Sequence, residues 1–219
     1  MPEQPRRPTI PGLPAGPGSP LGPGGPPNPS GLPGPGGQPN LGGTPAWLQE
    51  RLFGQRAVFL TGTLDDAAAT RAAAELMLLD ATGPEPIQLY LNCPDGSLEA
   101  ALTLIDTLDL LRAPVRAQCL GQLGGPPVGV LAVAGTRVAA PHASFRLGLP
   151  RTSFDGTPDQ LASRGEQHLE LVRRFRARLA RATGQPAERI ADDLRAGRHL
   201  DAAEARAYGL IDEVAAPKR

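Results

Sequence analysis

The segment IQLYLNCPDGSLEAALTLIDTLDLLR, residues 87–112, contains the pattern that decides the fold class. Its first six residues form an apolar run typical of a strand, with too few polar residues for one exposed face. A turn, CPDGS, follows, and the five apolar residues after it recur at spacings of three and four: Leu98, Leu102, Ile105, Leu108 and Leu111. This spacing predicts an amphipathic helix with one buried face, which Pro114 ends.

Similar units lie on both sides of this segment. The run AVFLTG (57–62) predicts a strand, and Asp65 or Asp66 can cap the helix that follows it. VRAQCL (115–120) predicts a third strand, GQLGGPP (121–127) a turn, and VGVLAVAG (128–135) a short helix that is apolar all round. A helix of that kind lies inside a protein. Alternating strands and helices predict an α/β fold.

A long helix is predicted from Pro158 to about Thr183, with Gly184 as its left-handed cap. It combines an apolar stripe (Leu161, His168, Leu171, Val172, Phe175, Leu179) with an arginine-rich face (Arg173, Arg174, Arg176, Arg178, Arg181). The helix is longer than a compact core requires. It is therefore either a projecting element that packs against a neighbouring subunit or a peripheral helix with a solvated basic face.

Shorter elements complete the domain. RVAA (137–140) and FRLGLP (145–150) predict two short strands, and AERIADDLRAG (187–197) predicts a helix. A last helix, AAEARAYGL (202–210), starts at a capping box of Asp201 and Glu204, and IDEV (211–214) predicts a closing strand.

Composition separates a tail from one globular domain. Residues 1–45 hold 15 of the 26 prolines and 12 of the 27 glycines, with no aromatic residue. Such a segment cannot bury enough apolar surface to offset its ordering entropy, so we predict a disordered Pro/Gly-rich tail over 1–45 and a globular domain over 46–219.

Charge and cysteine content exclude several classes of protein. The 22 basic and 22 acidic residues balance, which argues against a general nucleic-acid binder. Cys93 and Cys119 are too few for a disulfide framework and are expected as reduced core residues. No stretch nears the ~20 apolar residues of a membrane span. We expect a soluble cytoplasmic protein.

Several segments, in order, resemble one family. LYLNCPDGS (89–97) is similar to its Y-I-N-S-P-G-G-S, AGTRVAAPHASFRL (134–147) to its A-G-x-x-x-R-x-A-L-P-N-S-R-V-M-I, and AAEARAYGLIDEV (202–214) to its S-A-E-E-A-x-E-Y-G-L-I-D-x-V. ERLFGQRAVFLTGTLDD (50–66) and IDTLDLL (105–111) also match its motifs. From about Leu48 to Val214 the chain is identified as a member of the proteolytic subunit family of the ATP-dependent Clp protease, peptidase family S14.

The resemblance implies a ClpP/crotonase-like spiral of repeated ββα units with a projecting handle helix, matched by Pro158–Thr183. It also implies oligomeric rings with other Clp proteolytic subunits, and it leaves open whether a Clp ATPase docks on them. Since the family's rings have an entry pore, the tail over 1–45 is either a tolerated linker, a pore plug or a contact to a partner. The family's catalytic Ser lies in G-x-A-S-M-G-A. The matching GQLGGPPVGV (121–130) is one residue longer, so Gly125 or Pro126 takes that place.

The other positions that the resemblance matches also lack catalytic side chains. Gly148 stands where the family has its His, and Gly197 where it has its Asp. One oxyanion-hole donor matches Gly96, but proline follows both candidates for the nucleophile and has no N–H. We therefore expect no catalytic triad, no cofactor and no metal, and a structural or regulatory subunit. The alternatives are an active endopeptidase subunit with a relocated site, or a crotonase-like acyl-CoA enzyme that uses the Gly124 and Gly125 amides.

A relocated site would need other residues. Ser97 is expected to cap a helix. The three histidines, His142, His168 and His199, show no metal-ligand spacing with one another or with cysteine. The remaining candidates are a Ser144–His142 pair, Cys93 or Cys119 without an evident partner, and Asp192 or Asp193 as a displaced acid.

Overall fold

The computed structural model describes residues 46–216, and the predicted disordered tail, 1–45, lies outside the described residues. The helices are α1 (Ala46–Gly54), α2 (Asp66–Thr82), α3 (Leu98–Leu110), α4 (Pro127–Ala132), α5 (Pro158–Thr183), α6 (Ala187–Ala196) and α7 (Ala202–Ala207). The strands are β1 (Ala57–Thr61), β2 (Ile87–Cys93), β3 (Val115–Gly124), β4 (Thr136–Ala139), β5 (Ser144–Arg146), β6 (His199–Asp201) and β7 (Glu213–Val214). This arrangement confirms the α/β prediction.

The sheet has a parallel main path in the order β1-β2-β3-β4-β7. Strand β3 changes partner along its length. Residues 116–119 pair with β4, whereas residues 122–124 pair with β5, which in turn pairs antiparallel with β6. The second half of β3 therefore carries a small three-stranded patch at the carboxyl end of the main sheet.

The predicted turn at 121–127 is wrong in its first four residues, because Gly121–Gly124 continue strand β3. Here glycine allows close approach rather than a turn. A Cβ atom at Gly121 would lie 2.6 Å from the Asn92 side-chain oxygen, and one at Gly124 would lie 2.1 Å from the Pro94 carbonyl oxygen.

Helix caps follow the sequence prediction. Asp65 accepts the Ala68 N–H, Ser97 accepts the Ala100 N–H, and Asp201 and Glu204 form the predicted capping box. The bounds of the strands differ more from their predicted values than the helix caps do. Strand β5 ends at Arg146 instead of Pro150, β7 contains two residues, and β6 has no counterpart in the prediction.

Strand β2 also differs from its prediction. Its alternate residues Gln88 and Tyr90 are half-buried and Asn92 is exposed, so the strand has one partly open face. On that face the ring of Tyr90 stacks on Phe59 of β1 with 4.6 Å between centroids. The aromatic stack explains how an apolar strand tolerates partial exposure.

Helix α4 is wholly buried, as predicted, and packs against α5. A Cβ atom at Gly129 would lie 2.4 Å from a ring carbon of Phe175, so this glycine sets the separation of the two helices. Only the second half of α5 has buried residues, namely Val172, Phe175, Leu179 and Thr183. Its first half, 158–171, has none. No helix within 46–216 combines the length and apolar character needed to cross a membrane.

Candidate functional site

The structure places Gly125 at the end of β3, directly before α4. Its φ is +64°, which favours glycine, and its N–H donates to the Arg146 carbonyl oxygen at 2.9 Å. A Cβ atom on Gly125 would lie 3.6 Å from the Asp95 carboxylate and 4.0 Å from the Gly148 carbonyl oxygen. A side chain at this position would therefore begin close to both Asp95 and Gly148. Because its amide is already bonded, Gly125 does not offer the free N–H that a crotonase-like site needs.

Gly148 and Gly197 are held side by side by backbone hydrogen bonds between their neighbours. Leu147 N–H donates to the Arg198 carbonyl oxygen at 2.7 Å, and Leu149 N–H donates to the Leu194 carbonyl oxygen at 3.1 Å. Gly197 itself is the left-handed cap of α6, and a Cβ atom there would meet nothing within 4 Å. The three glycines thus converge on one region without contributing a side chain.

Two prolines occupy the start of α4. Pro126 is its N-cap residue and Pro127 its first residue. The first backbone N–H group after Gly125 is therefore that of Val128, and it donates to the Gly125 carbonyl oxygen at 3.1 Å. No N–H group follows directly after either Gly125 or Pro126.

The remaining donor, the Gly96 N–H, is occupied by an acidic side chain. It donates to the Asp95 carboxylate at 2.9 Å. A Cβ atom at Gly96 would lie 2.7 Å from Leu64 Cβ and 2.9 Å from the Pro127 ring, so only glycine fits there. A carboxylate on this amide repels any negative charge that develops nearby.

Arg146 fills the space beside Gly148. Its Nη1 would lie 2.7 Å from a Cβ atom on Gly148, so a side chain at 148 would displace the guanidinium. Its Nη2 lies 3.9 Å from the Asp95 carboxylate and donates to the Pro94 carbonyl oxygen at 3.4 Å. Sequence reasoning missed both residues. The signal for Asp95 was present, because PDGS carries Asp where the family's P-G-G-S has Gly, whereas Arg146 has no local signal.

The residues considered for a relocated site have structural partners. Ser97 accepts the Ala100 N–H at 3.0 Å as a helix cap. The carboxylate of Asp193 accepts the Tyr208 hydroxyl at 2.7 Å and pairs with Arg198 at 3.2 Å. Burial is the larger cause that raises the pKa of Tyr208 above its usual range, and the hydrogen bond to the Asp193 carboxylate raises it further. Asp192 pairs with Arg195 at 2.8 Å.

The histidines lie apart from one another. His142 and His199 are exposed, and in the described part of the chain no hydrogen bond joins His142 to Ser144. His168 lies between α5 and α3, with Nδ1 3.8 Å from the Glu99 carboxylate and its ring edge-on to Phe154. Within residues 46–216 no group of three His, Cys, Asp or Glu side chains could hold a metal ion.

Cys93 and Cys119 are buried free thiols. Burial raises the pKa of Cys93 to about 11 and that of Cys119 to about 12. Both thiols are therefore protonated at neutral pH, and a thiol is a far weaker nucleophile than a thiolate.

We predict that iodoacetamide at pH 8 alkylates these two cysteines in the native protein at least ~100-fold more slowly than in denaturant, because burial suppresses both access and ionisation. Mass spectrometry of timed samples measures the rates. The denatured protein, which should take up label on both thiols, is the control. Rapid labelling of one native cysteine would show a reactive thiol and contradict the prediction.

Comparison with known proteins adds two matches. The family model described as Clp protease matches residues 44–218. An ATP-dependent Clp protease proteolytic subunit 3 from Rhodococcus jostii (strain RHA1) is 38% identical over 171 residues, which cover 76% of this chain and 84% of the relative.

Proposed function

Because the chain belongs to the Clp protease family, we propose that it is a proteolytic-subunit-like component of Clp-type rings that has no peptidase activity of its own. The observation that carries this proposal is the convergence of Gly125, Gly148 and Gly197 on one region without a nucleophile, a base or an orienting acid. Its role is structural or regulatory.

Gly125 is the better counterpart of the family's serine than Pro126. The Cβ direction at Gly125 leads toward Gly148 and Asp95, which is where a serine would need its base. Glycine supplies no hydroxyl there, and Gly148 supplies no imidazole to remove a proton. The first step of serine-type peptide cleavage therefore lacks both of its reacting side chains.

Stabilisation of an oxyanion is lost independently of the triad. Pro126 offers no N–H after Gly125, and the Gly96 N–H is bonded to Asp95. Loss of one such donor typically costs ~10²–10³ in turnover. A water molecule or a distant nucleophile would therefore still lack the electrostatic help that peptide cleavage requires.

Assembly is favoured by the surface of α5. Its first half has no fully buried residue, and it exposes Leu161 and Leu169, with 63% of Leu169 accessible. Exposed leucines on a helix that extends from the core are typical of a subunit contact. We propose that this handle packs against other Clp proteolytic subunits, either copies of this chain or active paralogues, and that a Clp ATPase is a further candidate partner.

We predict that the purified protein neither cleaves fluorogenic di- or tripeptides nor reacts stoichiometrically with a fluorophosphonate probe. The reason is the missing nucleophile at Gly125. Probe labelling is read by intact-mass spectrometry, and peptide cleavage by fluorescence. An active Clp proteolytic subunit, purified in the same way, is the positive control.

Stoichiometric probe labelling, or cleavage that co-purifies with the chain, would support the alternative of an active subunit with a relocated site. Native mass spectrometry of the protein alone, and of the protein co-expressed with an active subunit, tests assembly separately. A monomer under both conditions would contradict the ring-subunit part of the proposal.

A further inference from the structure

We propose that a cleft beside the three converging glycines binds the C-terminal carboxylate of a peptide. The inference rests on the proposed function, under which the chain is a component of a Clp protease assembly and peptides are the expected ligands. The cleft has a volume of about 80 Å³ and is lined by Pro94, Gln122, Gly124, Ser144, Arg146 and His199, among others.

The register of the small sheet patch places these side chains on one face. Ser144 pairs with Gln122 on β3, and Arg146 pairs with Gly124 on β3 and with His199 on β6. Residues two apart on a strand share a face, and directly opposed residues have Cβ atoms about 5 Å apart. Over Gly124 this face is covered by the Pro94 carbonyl oxygen, which a Cβ atom on Gly124 would approach to 2.1 Å, and both residues line the cleft.

Four of the eight residues that line the cleft carry side-chain hydrogen-bond donors. Gln122 offers an amide N–H, Ser144 a hydroxyl, His199 a ring N–H and Arg146 a guanidinium fork. Within residues 46–216, Arg146 makes a single side-chain hydrogen bond, the 3.4 Å contact to Pro94. Most of its five N–H groups are therefore available to a ligand oxygen.

The two nearby carboxylates are already engaged. Asp95 accepts the Gly96 N–H at 2.9 Å and lies 3.9 Å from Arg146. Asp201, opposite Ser144, accepts the Glu204 N–H at 2.8 Å in its capping box. Asp95 forms an ion pair with Arg146, but neither carboxylate accepts a hydrogen bond from the guanidinium. Its planar fork, a geometry that suits a carboxylate, therefore remains open to a ligand.

The position of the cleft favours the C-terminus of a peptide as the source of the carboxylate. Arg146 lines the cleft, and its Nη1 also occupies the space beside Gly148. A peptide that lies along the glycines can therefore place its last residue in the cleft.

The test compares acetyl-penta-alanine carrying a free C-terminal carboxylate with the same peptide as its C-terminal amide, using the full-length protein and isothermal titration calorimetry. We expect the amide to bind at least ~10-fold more weakly, the loss of one charge-assisted pair. Arg146→Gln should abolish this difference, and His199→Gln should reduce it. Arg195→Gln, an exposed arginine paired with Asp192, is the matched control and should keep it.

Equal binding of acid and amide, or no binding of either at millimolar concentration, would overturn the inference without use of any variant. Acetate or inorganic phosphate binding as tightly as the peptide acid would overturn the assignment to a peptide terminus. Mass spectrometry of the titrated samples detects cleavage, which would contradict the proposed function and not the carboxylate preference. The two proposals therefore fail by different results.

Discussion

Replacing Arg137 by alanine is expected to lower the free energy of unfolding by about 3 kcal/mol, because charged hydrogen bonds to partly buried groups contribute 1.5–3 kcal/mol each and are not additive. Arg137 leaves 17% of its side chain accessible. It donates to the carbonyl oxygens of Ala182 at 3.0 Å and Gly209 at 2.8 Å, and it binds the Asp212 carboxylate. One side chain thus joins β4, the end of α5 and the turn after α7.

Arg116→Ala is the matched control. Arg116 also pairs with an acid of the C-terminal segment, Glu213, but both side chains are about half exposed. Exposed pairs contribute ~0–1 kcal/mol, so this variant should unfold almost as the wild type does in urea. Equal urea midpoints of unfolding for Arg137→Ala and Arg116→Ala would contradict the role given to Arg137.

The same pair predicts a pH dependence. A side-chain hydrogen bond from Arg137 is the main cause that lowers the pKa of Asp212 below its usual range. A lowered folded-state pKa means that the stabilisation is present above the unfolded carboxyl pKa of ~4 and is lost as pH falls through the folded value. The difference between wild type and Arg137→Ala should therefore be full at pH 7 and shrink below about pH 4.

Gly209→Ala is the second variant with a large expected effect, about 3 kcal/mol of lost stability. Gly209 has a φ of +82°, and a Cβ atom there would lie 2.4 Å from the Thr183 carbonyl oxygen. A left-handed residue with a Cβ costs ~1–2 kcal/mol, and the overlap with backbone adds ~1–3 kcal/mol.

Gly184→Ala separates these two causes. Gly184 has a similar φ of +70°, but a Cβ atom there meets nothing within 4 Å. We expect it to cost only about 1 kcal/mol. If thermal or urea denaturation gave equal losses for both variants, the overlap with Thr183 would contribute nothing and the prediction for Gly209 would be wrong.

Elements with a strong local signal could be predicted from the sequence. The bounds of α5 were predicted to the residue, because Pro158 fixes the first turn and Gly184 adopts the left-handed cap. The strands β5 and β6 could not be delimited. Each has three residues, and their bounds depend on pairing between segments more than fifty residues apart.

The candidate site was predictable only in part. The sequence alone shows that the residues around Gly125 carry no side-chain hydroxyl and that two prolines follow it. The hydrogen bond from the Gly96 N–H to Asp95 could not be predicted, because it depends on the rotamer of a side chain in a loop. Arg146 reaches Pro94 across 52 positions of sequence, a separation at which local patterns carry no information.

The carboxylate of Asp95 on the Gly96 amide also bears on the evolutionary history of the chain. A lineage that acquired a serine at 125 would gain little until Asp95, Pro126 and Gly148 had changed as well, since Asp95 and Pro126 each remove an oxyanion donor and Gly148 supplies no base. A single substitution toward the active state then brings no advantage in peptide cleavage. Under the proposed function, the loss of peptidase activity is therefore difficult to reverse, and descendants of this chain are expected to remain inactive as peptidases.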